Sequence, residues 1–192
     1  MKKLLVVVVT LLMSQLAQAE PYGDVNLGLS NGNISGYSTE VRLGTELSNV
    51  DVSLGYNRIS GDLDKKILKS NSLDLHTLNM EIYRKMTISD DLTGYLGGGV
   101  GYSIPNLSAE RGDNDVSYIL GAKVNYQMTD NWSLGVYGKG FFFRTDVKRT
   151  DTSSHIETLS NGQDVEIEDV TYFTDSVNLN SAVLGFNVRY NF

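Results

Sequence analysis

Beyond residue 19 the chain alternates apolar and polar positions with a period of two. Val25, Leu27 and Leu29 alternate with Asp24, Asn26, Gly28 and Ser30, and Val41, Leu43 and Thr45 with Arg42, Gly44 and Glu46. Val50, Val52, Leu54 and Tyr56 oppose Asp51, Ser53, Gly55 and Asn57; Leu78, Met80 and Ile82 oppose Asn79, Glu81 and Tyr83. Leu96, Val100, Tyr102 and Ile104 share a parity opposite Tyr95, Gly97, Gly99, Gly101 and Ser103. The cleanest stripe is Val116, Tyr118, Leu120, Ala122, Val124, Tyr126 and Met128. Trp132, Leu134, Val136 and Phe142 follow, and Ala182, Leu184, Phe186, Val188, Tyr190 and Phe192 close the chain. Successive side chains on a strand point to opposite faces, so these segments read as eight strands with one apolar face each. Allowing for frayed ends, each suits the roughly 9 to 11 residues of a tilted bilayer-crossing strand.

The connections alternate in length. A moderate loop is expected near Asn31 to Tyr37, a tight turn at Ser48-Asn49, a long polar stretch from Ser60 to Ser72, and a short turn at Ser89-Asp90-Asp91. Pro105 to Asp115 is long again, Thr129-Asp130-Asn131 short, and Thr145 to Asp169 longest. Short periplasmic turns with longer external loops are the pattern of a membrane barrel. The expectation is an all-β fold, an eight-stranded antiparallel up-and-down transmembrane β-barrel, with both termini periplasmic.

The first residues set the compartment. Lys2 and Lys3 precede the apolar run Leu4 to Leu12, and Ala17-Gln18-Ala19 supplies a small-residue cleavage pattern. Residues 1–19 therefore read as a secretory signal peptide and 20–192 as the outer-membrane barrel domain, because the apolar run is too short to span a bilayer as a helix. Cleavage would remove two lysines and take the formal charge from -7 to -9. That balance opposes nucleic-acid binding, which calls for a basic face. The chain has no cysteine, so an exported domain needs another source of stability, and a closed barrel in a membrane provides one.

Alternation alone does not say which face meets lipid. Gly97, Gly99 and Gly101 on the polar face favour a crowded interior there, since glycine weakens an exposed strand while a narrow barrel needs small inward side chains. Tyr22, Tyr56, Tyr126, Trp132, Tyr190 and Phe192 near strand ends suit aromatic girdles at the two interfaces. The C-terminal segment Gly185-Phe186-Asn187-Val188-Arg189-Tyr190-Asn191-Phe192 resembles the assembly signal of Gram-negative outer-membrane proteins. That resemblance implies that Phe186, Val188, Tyr190 and Phe192 are read by the barrel-assembly machinery. Met128-Thr129-Asp130-Asn131-Trp132-Ser133-Leu134-Gly135-Val136 is similar to the turn and strand of small barrels of the OmpA transmembrane-domain, OmpX/Ail and opacity-protein type.

By parity the polar face carries Asp24, Arg42, Glu46, Asp51, Glu81, Lys123, Lys139 and Arg189. Charges of both signs in a narrow interior must pair, so a lumen ion-pair network that plugs the barrel is expected. The alternatives are a narrow porin-like channel for ions or small solutes, and an adhesin or host-factor binder acting through external loops, with Phe141 to Lys148 and Asp164 to Val177 as a protruding hairpin. Lys65, Lys66, Lys69, Arg144, Lys148 and Arg149 are candidate contacts to lipopolysaccharide phosphates at the outer rim.

No enzyme is expected. Of the two histidines, His76 has Leu78 where a lipid A deacylase-like barrel would place its serine, and His155 lies in a polar stretch with no spacing that enforces a nucleophile and base. Asp164, Glu166, Glu168 and Asp169 follow no calcium-loop motif and read as solvated surface, so no metal or cofactor is expected. The partners implied are outer-membrane lipid and lipopolysaccharide, the assembly machinery during biogenesis, and an extracellular partner of the loops.

Overall fold

The computed structural model describes residues 19–63, 72–108, 111–158 and 164–192. Residues 1–18 of the proposed signal peptide and Lys65, Lys66 and Lys69 lie outside these described residues. The strands are β1 (Glu20–Gly32), β2 (Ile34–Leu47), β3 (Val50–Leu63), β4 (Ser72–Ser89), β5 (Leu92–Leu107), β6 (Arg111–Gly112), β7 (Asp115–Gln127), β8 (Trp132–Thr158), β9 (Asp164–Asn178) and β10 (Ser181–Asn191). Around the barrel the order is β1, β2, β3, β4, β5, β7, β8, β10, all antiparallel. Pairing of β10 with β1, from Tyr22↔Asn191 to Gly32↔Ser181, closes the ring. Closure leaves no sheet edge in the wall, which is what allows strands to cross hydrocarbon.

The apolar face points outward. Leu29 is 73% exposed, Leu184 72% and Leu78 66%, whereas Arg42 and Arg189 are 1% exposed on the inside. This inverts a water-soluble barrel and defines a lipid-facing belt. Trp132, Tyr190 and Phe192 cluster at its lower border, with ring centroids 4.8 and 5.3 Å apart. Tyr37, Tyr56, Tyr102, Tyr118 and Phe142 lie outward toward the opposite rim. Tyr22 departs from the girdle expected of it: its ring is buried in the lumen, because it shares the parity of Asp24 and Asn26 rather than that of Val25.

Two connections differ from the expected loops. The stretch Asn31 to Tyr37 is strand on both sides of Asn33, with Ser30↔Gly36 and Leu29↔Tyr37 in register. Gly32, at φ +125, takes the left-handed conformation that the reversal requires. The stretch Thr145 to Asp169 is likewise mostly strand, in keeping with the hairpin of Phe141 to Lys148 and Asp164 to Val177: β8 runs on to Thr158 and pairs with β9 from Arg144↔Asn178 to Thr158↔Asp164. This register continues that of β8 with β10 (Phe141↔Ser181), and the Leu179 N–H bridges the two by donating to Phe143 O at 2.7 Å. Polar composition suggests loops here, but water accepts polar side chains on a strand as readily as on a coil. The short turns fall where expected, at Ser48-Asn49, Asp90-Asp91 and Met128 to Asn131.

Near the rim opposite the short turns the sense of alternation reverses. Ile59, Leu63, Leu73 and Leu75 turn inward while Arg58, Ser60, Asp74 and His76 face out. With Ile34, Ile119, Phe141, Phe143, Val147, Val177 and Leu179 they form one buried apolar cluster inside the barrel. Where strands pass from hydrocarbon into water the outside must become polar, and the interior takes the apolar side chains.

Candidate functional site

Below the apolar cluster the lumen is charged. Parity sends one side chain in two inward from every strand, and closure brings those of opposite walls within reach. Arg189 on β10 sits at the centre of the lower half: Nε donates to Asp24 Oδ1 at 2.8 Å, Nη2 to Asp51 Oδ2 at 2.7 Å and Nη1 to Glu46. Its guanidinium lies 3.5 Å from the Tyr22 ring centroid, a stacked cation–π contact. Lys123 stands 3.2 Å from Asp24 Oδ2 and 3.6 Å from Asp51 Oδ2, 4.4 Å from the Tyr95 ring centroid. In the upper half Lys139 Nζ bonds Glu40 Oε2 and Glu81 Oε1, each at 2.8 Å. Arg42 joins the halves, contacting Asp24 below and Glu81 Oε2 above at 3.1 Å.

The carboxylates' remaining lone pairs are taken by neutral donors. The Tyr22 hydroxyl donates to Asp51 at 2.5 Å, Tyr83 to Glu81 at 2.8 Å and Tyr95 to Glu46 at 2.6 Å. Asn79 Nδ2 donates to Glu40 at 2.9 Å and Glu81 at 2.7 Å. Lys85, nearer the mouth at the short-turn end of the barrel, pairs with Glu46. Among the described residues, five carboxylates thus meet five cations. Such balance and hydrogen bonding is what makes buried charge tolerable.

All eight lumen residues named from parity (Asp24, Arg42, Glu46, Asp51, Glu81, Lys123, Lys139 and Arg189) meet in this network. Sequence reasoning missed Glu40, although it sits two positions before Arg42 and shares its parity. It also misplaced Tyr22, since aromatic character marks it as lipid-facing; Tyr83 and Tyr95 lie inward as their polar-face parity predicts, but were not named as network members. Above the network a hydroxyl ladder links Thr77 to Ser103 at 2.7 Å and Ser103 to Ser117 at 3.0 Å, and the apolar cluster follows.

The C-terminal aromatics behave differently from the charges: Phe186 and Phe192 are outward and exposed, Val188 likewise, and Tyr190 half-buried against Trp132. Of the rim cations, Arg144 and Lys148 are exposed on β8, and Lys148 pairs with Asp113 at 2.8 Å; Arg149 lies in the β8–β9 ladder opposite Phe173. His76 Nδ1 lies 2.5 Å from the Tyr56 hydroxyl toward the rim opposite the short turns, and His155 Nδ1 lies 3.1 Å from Asp169 on the protruding ribbon. Glu166, Glu168 and Asp169 are exposed there.

The ribbon of β8 and β9 rises beyond the wall, and in its upper part the two strands pair only with each other among the described residues. It exposes Tyr172 (79%), Ile156 (71%), Phe173, Val170 and Val165 to solvent.

A closed eight-stranded wall, greasy outside and ionic within, is the architecture of the small bacterial outer-membrane β-barrels, and this chain has that fold. It is similar to neisserial surface protein A, at 13% identity and a TM-score of 0.62, covering 91% of this chain and 97% of that one. A major outer-membrane protein of Thermus thermophilus matches at 16% identity and a TM-score of 0.56 over 90% and 99% of the two chains. The outer-membrane protein OprG of Pseudomonas aeruginosa matches at 9% identity and 0.55 over 91% and 94%. No family model and no curated protein sequence matches the chain.

Proposed function

We propose that this chain is a structural and surface-interaction barrel of the outer membrane whose lumen is a plug rather than a passage. The observation that carries the reading is the filled interior: five buried or half-buried ion-paired cations crosslink opposite walls, and an apolar block caps them. An ion entering from outside would first cross the apolar block, then displace paired charges. An eight-stranded interior is just wide enough for side chains to fill. In this reading the signal peptide is cleaved, both termini are periplasmic, and the assembly machinery recognises Phe186, Val188, Tyr190 and Phe192. Arg144 and Lys148 meet lipopolysaccharide phosphates, and no step of catalysis is involved. Planar-bilayer recording on the purified mature chain tests it: the expected trace is a closed baseline, and a steady single-channel current would replace the plug with the porin-like channel.

A second reading attaches to the ribbon. An isolated two-stranded ribbon is marginally stable in water, and this one exposes Ile156, Tyr172 and Phe173. Its free strand edges suit an extracellular partner that adds a strand, which is the adhesin role. Trimming residues 150–168 should lower cell or matrix adhesion while leaving the barrel folded; unchanged adhesion removes this reading.

A further inference from the structure

On one arc of the wall the outward face turns polar toward the rim opposite the short turns. Beyond Tyr56, Leu78 and Tyr102 the outward side chains of β2, β3 and β4 are Thr39, Arg58 and His76, which share a register row. The next row is Tyr37, Ser60, Asp74 and Asn106, on β2, β3, β4 and β5. A last row holds Ser35, Asp62 and Ser72, and Ser108 just past β5 joins it by donating its N–H to Ser72 O at 3.3 Å. The last two rows line a groove of about 600 Å³, with the Gly36↔Gly61 pair between them. That volume falls within the roughly 300 to 1,000 Å³ of small-molecule sites. Neighbouring strands lie about 5 Å apart and same-face residues along a strand about 7 Å apart, so the polar groups form a grid on the scale of single sugar rings.

The charges of this arc narrow the choice of ligand. Arg58 Nη2 holds Asp74 in a forked pair, at 3.1 Å to Oδ1 and 3.0 Å to Oδ2. Asp62, one row further out, makes the lining net negative among the described residues. Phosphate and carboxylate groups bring acceptors and negative charge only, so Asp62 and Asp74 disfavour them. An acyl chain would cover serine, asparagine and aspartate with hydrocarbon that bonds to none of them. An uncharged sugar meets neither objection. Each ring hydroxyl both donates and accepts, which suits the carboxylate of Asp62, the hydroxyls of Ser35 and Ser60 and the amide of Asn106. One face of a pyranose presents only C–H groups, and Tyr37, in the groove lining and 51% exposed, offers an aromatic surface to cover it.

We infer that this groove binds a short uncharged oligosaccharide. One ring stacks on Tyr37 on the β2–β3 side, with its hydroxyls on Ser35 and Asp62, and the next lies on the β4–β5 side, hydrogen-bonded to Asn106. The strand register holds these groups at fixed spacing before a ligand arrives, which lowers the ordering cost of binding. With both termini periplasmic, as proposed above, this rim faces the cell exterior, where the sugar is that of neighbouring lipopolysaccharide or of a foreign glycan. Binding to the purified barrel does not depend on that orientation.

The mature chain folded in amine-oxide micelles, which carry no sugar, is tested by saturation-transfer difference NMR. The probes are maltose, cellobiose, lactose and mannobiose, and core oligosaccharide released from the bacterium's own lipopolysaccharide, with and without its phosphates. Transfer to at least one uncharged probe is expected. Asp62→Asn and Tyr37→Ala should each weaken that binding about tenfold, as loss of a hydrogen bond to a charged group or of an aromatic contact does, while keeping the heat-modifiable folded band. Transfer to the dephosphorylated core alone would place the ligand in the same membrane, and transfer to the disaccharides alone would place it outside; either supports the site. No transfer to any uncharged probe overturns the inference, as does binding confined to the phosphorylated core. Equal weakening by Tyr118→Ala, outward on β7 and away from the groove, would overturn the assignment to this arc.

Discussion

Replacing Arg189 by methionine keeps much of its length and removes its charge and donors. Three carboxylates then lose a partner: Asp24 at 2.8 Å, Asp51 at 2.7 Å, and Glu46. Asp24 keeps Arg42 and Lys123, Asp51 keeps Lys123 at 3.6 Å, and Glu46 keeps Lys85, so the loss is partial. The lumen also moves from five carboxylates against five cations to five against four. Removing one partner of a buried pair costs about 3 to 5 kcal/mol, and the surviving cations hold the expectation near the lower figure, about 3 kcal/mol. Urea unfolding in phospholipid vesicles, followed by the fluorescence of the single tryptophan, Trp132, reads it directly. Adding Asp51→Asn removes one stranded carboxylate, so the double variant should regain about 1 to 3 kcal/mol relative to the sum of the single effects. An Arg189→Met chain within about 0.5 kcal/mol of wild type, the range of a neutral surface change, would refute the reasoning. The lumen charges would then be water-screened and worth little.

Leu120, outward at the middle of β7 and 63% exposed, should cost about 2 to 4 kcal/mol when changed to arginine if it faces hydrocarbon; vesicle unfolding checks this, and a near-zero effect would place it in water. Gly97→Ala should destabilise the barrel by about 1 to 3 kcal/mol or more, because a Cβ would stand 2.1 Å from Ile82 O, and loss of the heat-modifiable folded band on a gel reads it. Deleting Phe192 should lower outer-membrane levels and raise envelope stress, measured by fractionation and a stress reporter, while normal levels would count against the assembly signal. Tyr190→Ala should cost about 0.5 to 1.5 kcal/mol beyond its lost area, since its ring meets both Trp132 and Phe192; the same vesicle unfolding reads it.

Much of this protein is written in a parity. Strands, their number and the short turns at Ser48-Asn49 and Asp90-Asp91 follow from alternation and turn chemistry, which are local properties. The inward side of Asp24, Arg42, Lys123 and Arg189 follows as well, once glycine on the same face marks it as the crowded interior. Parity has only two values, however, and it carries no height and no partner. Whether Arg42 meets Glu81 or Asp51 depends on the stagger of the closed barrel, which no single strand encodes. Glu40 and Tyr22 were legible by parity alone; residue character misled for Tyr22, because a phenol that donates to Asp51 and carries a guanidinium on its face belongs inside. The inward turn of Ile59, Leu73 and Phe143 needed the height at which lipid ends, and the long β8–β9 ribbon needed the unbroken register of β8 with β10. Local alternation thus determined which side chains could share a face. Closure of β10 onto β1 decided which of them touch, because contacts across a lumen exist only after the ring is complete.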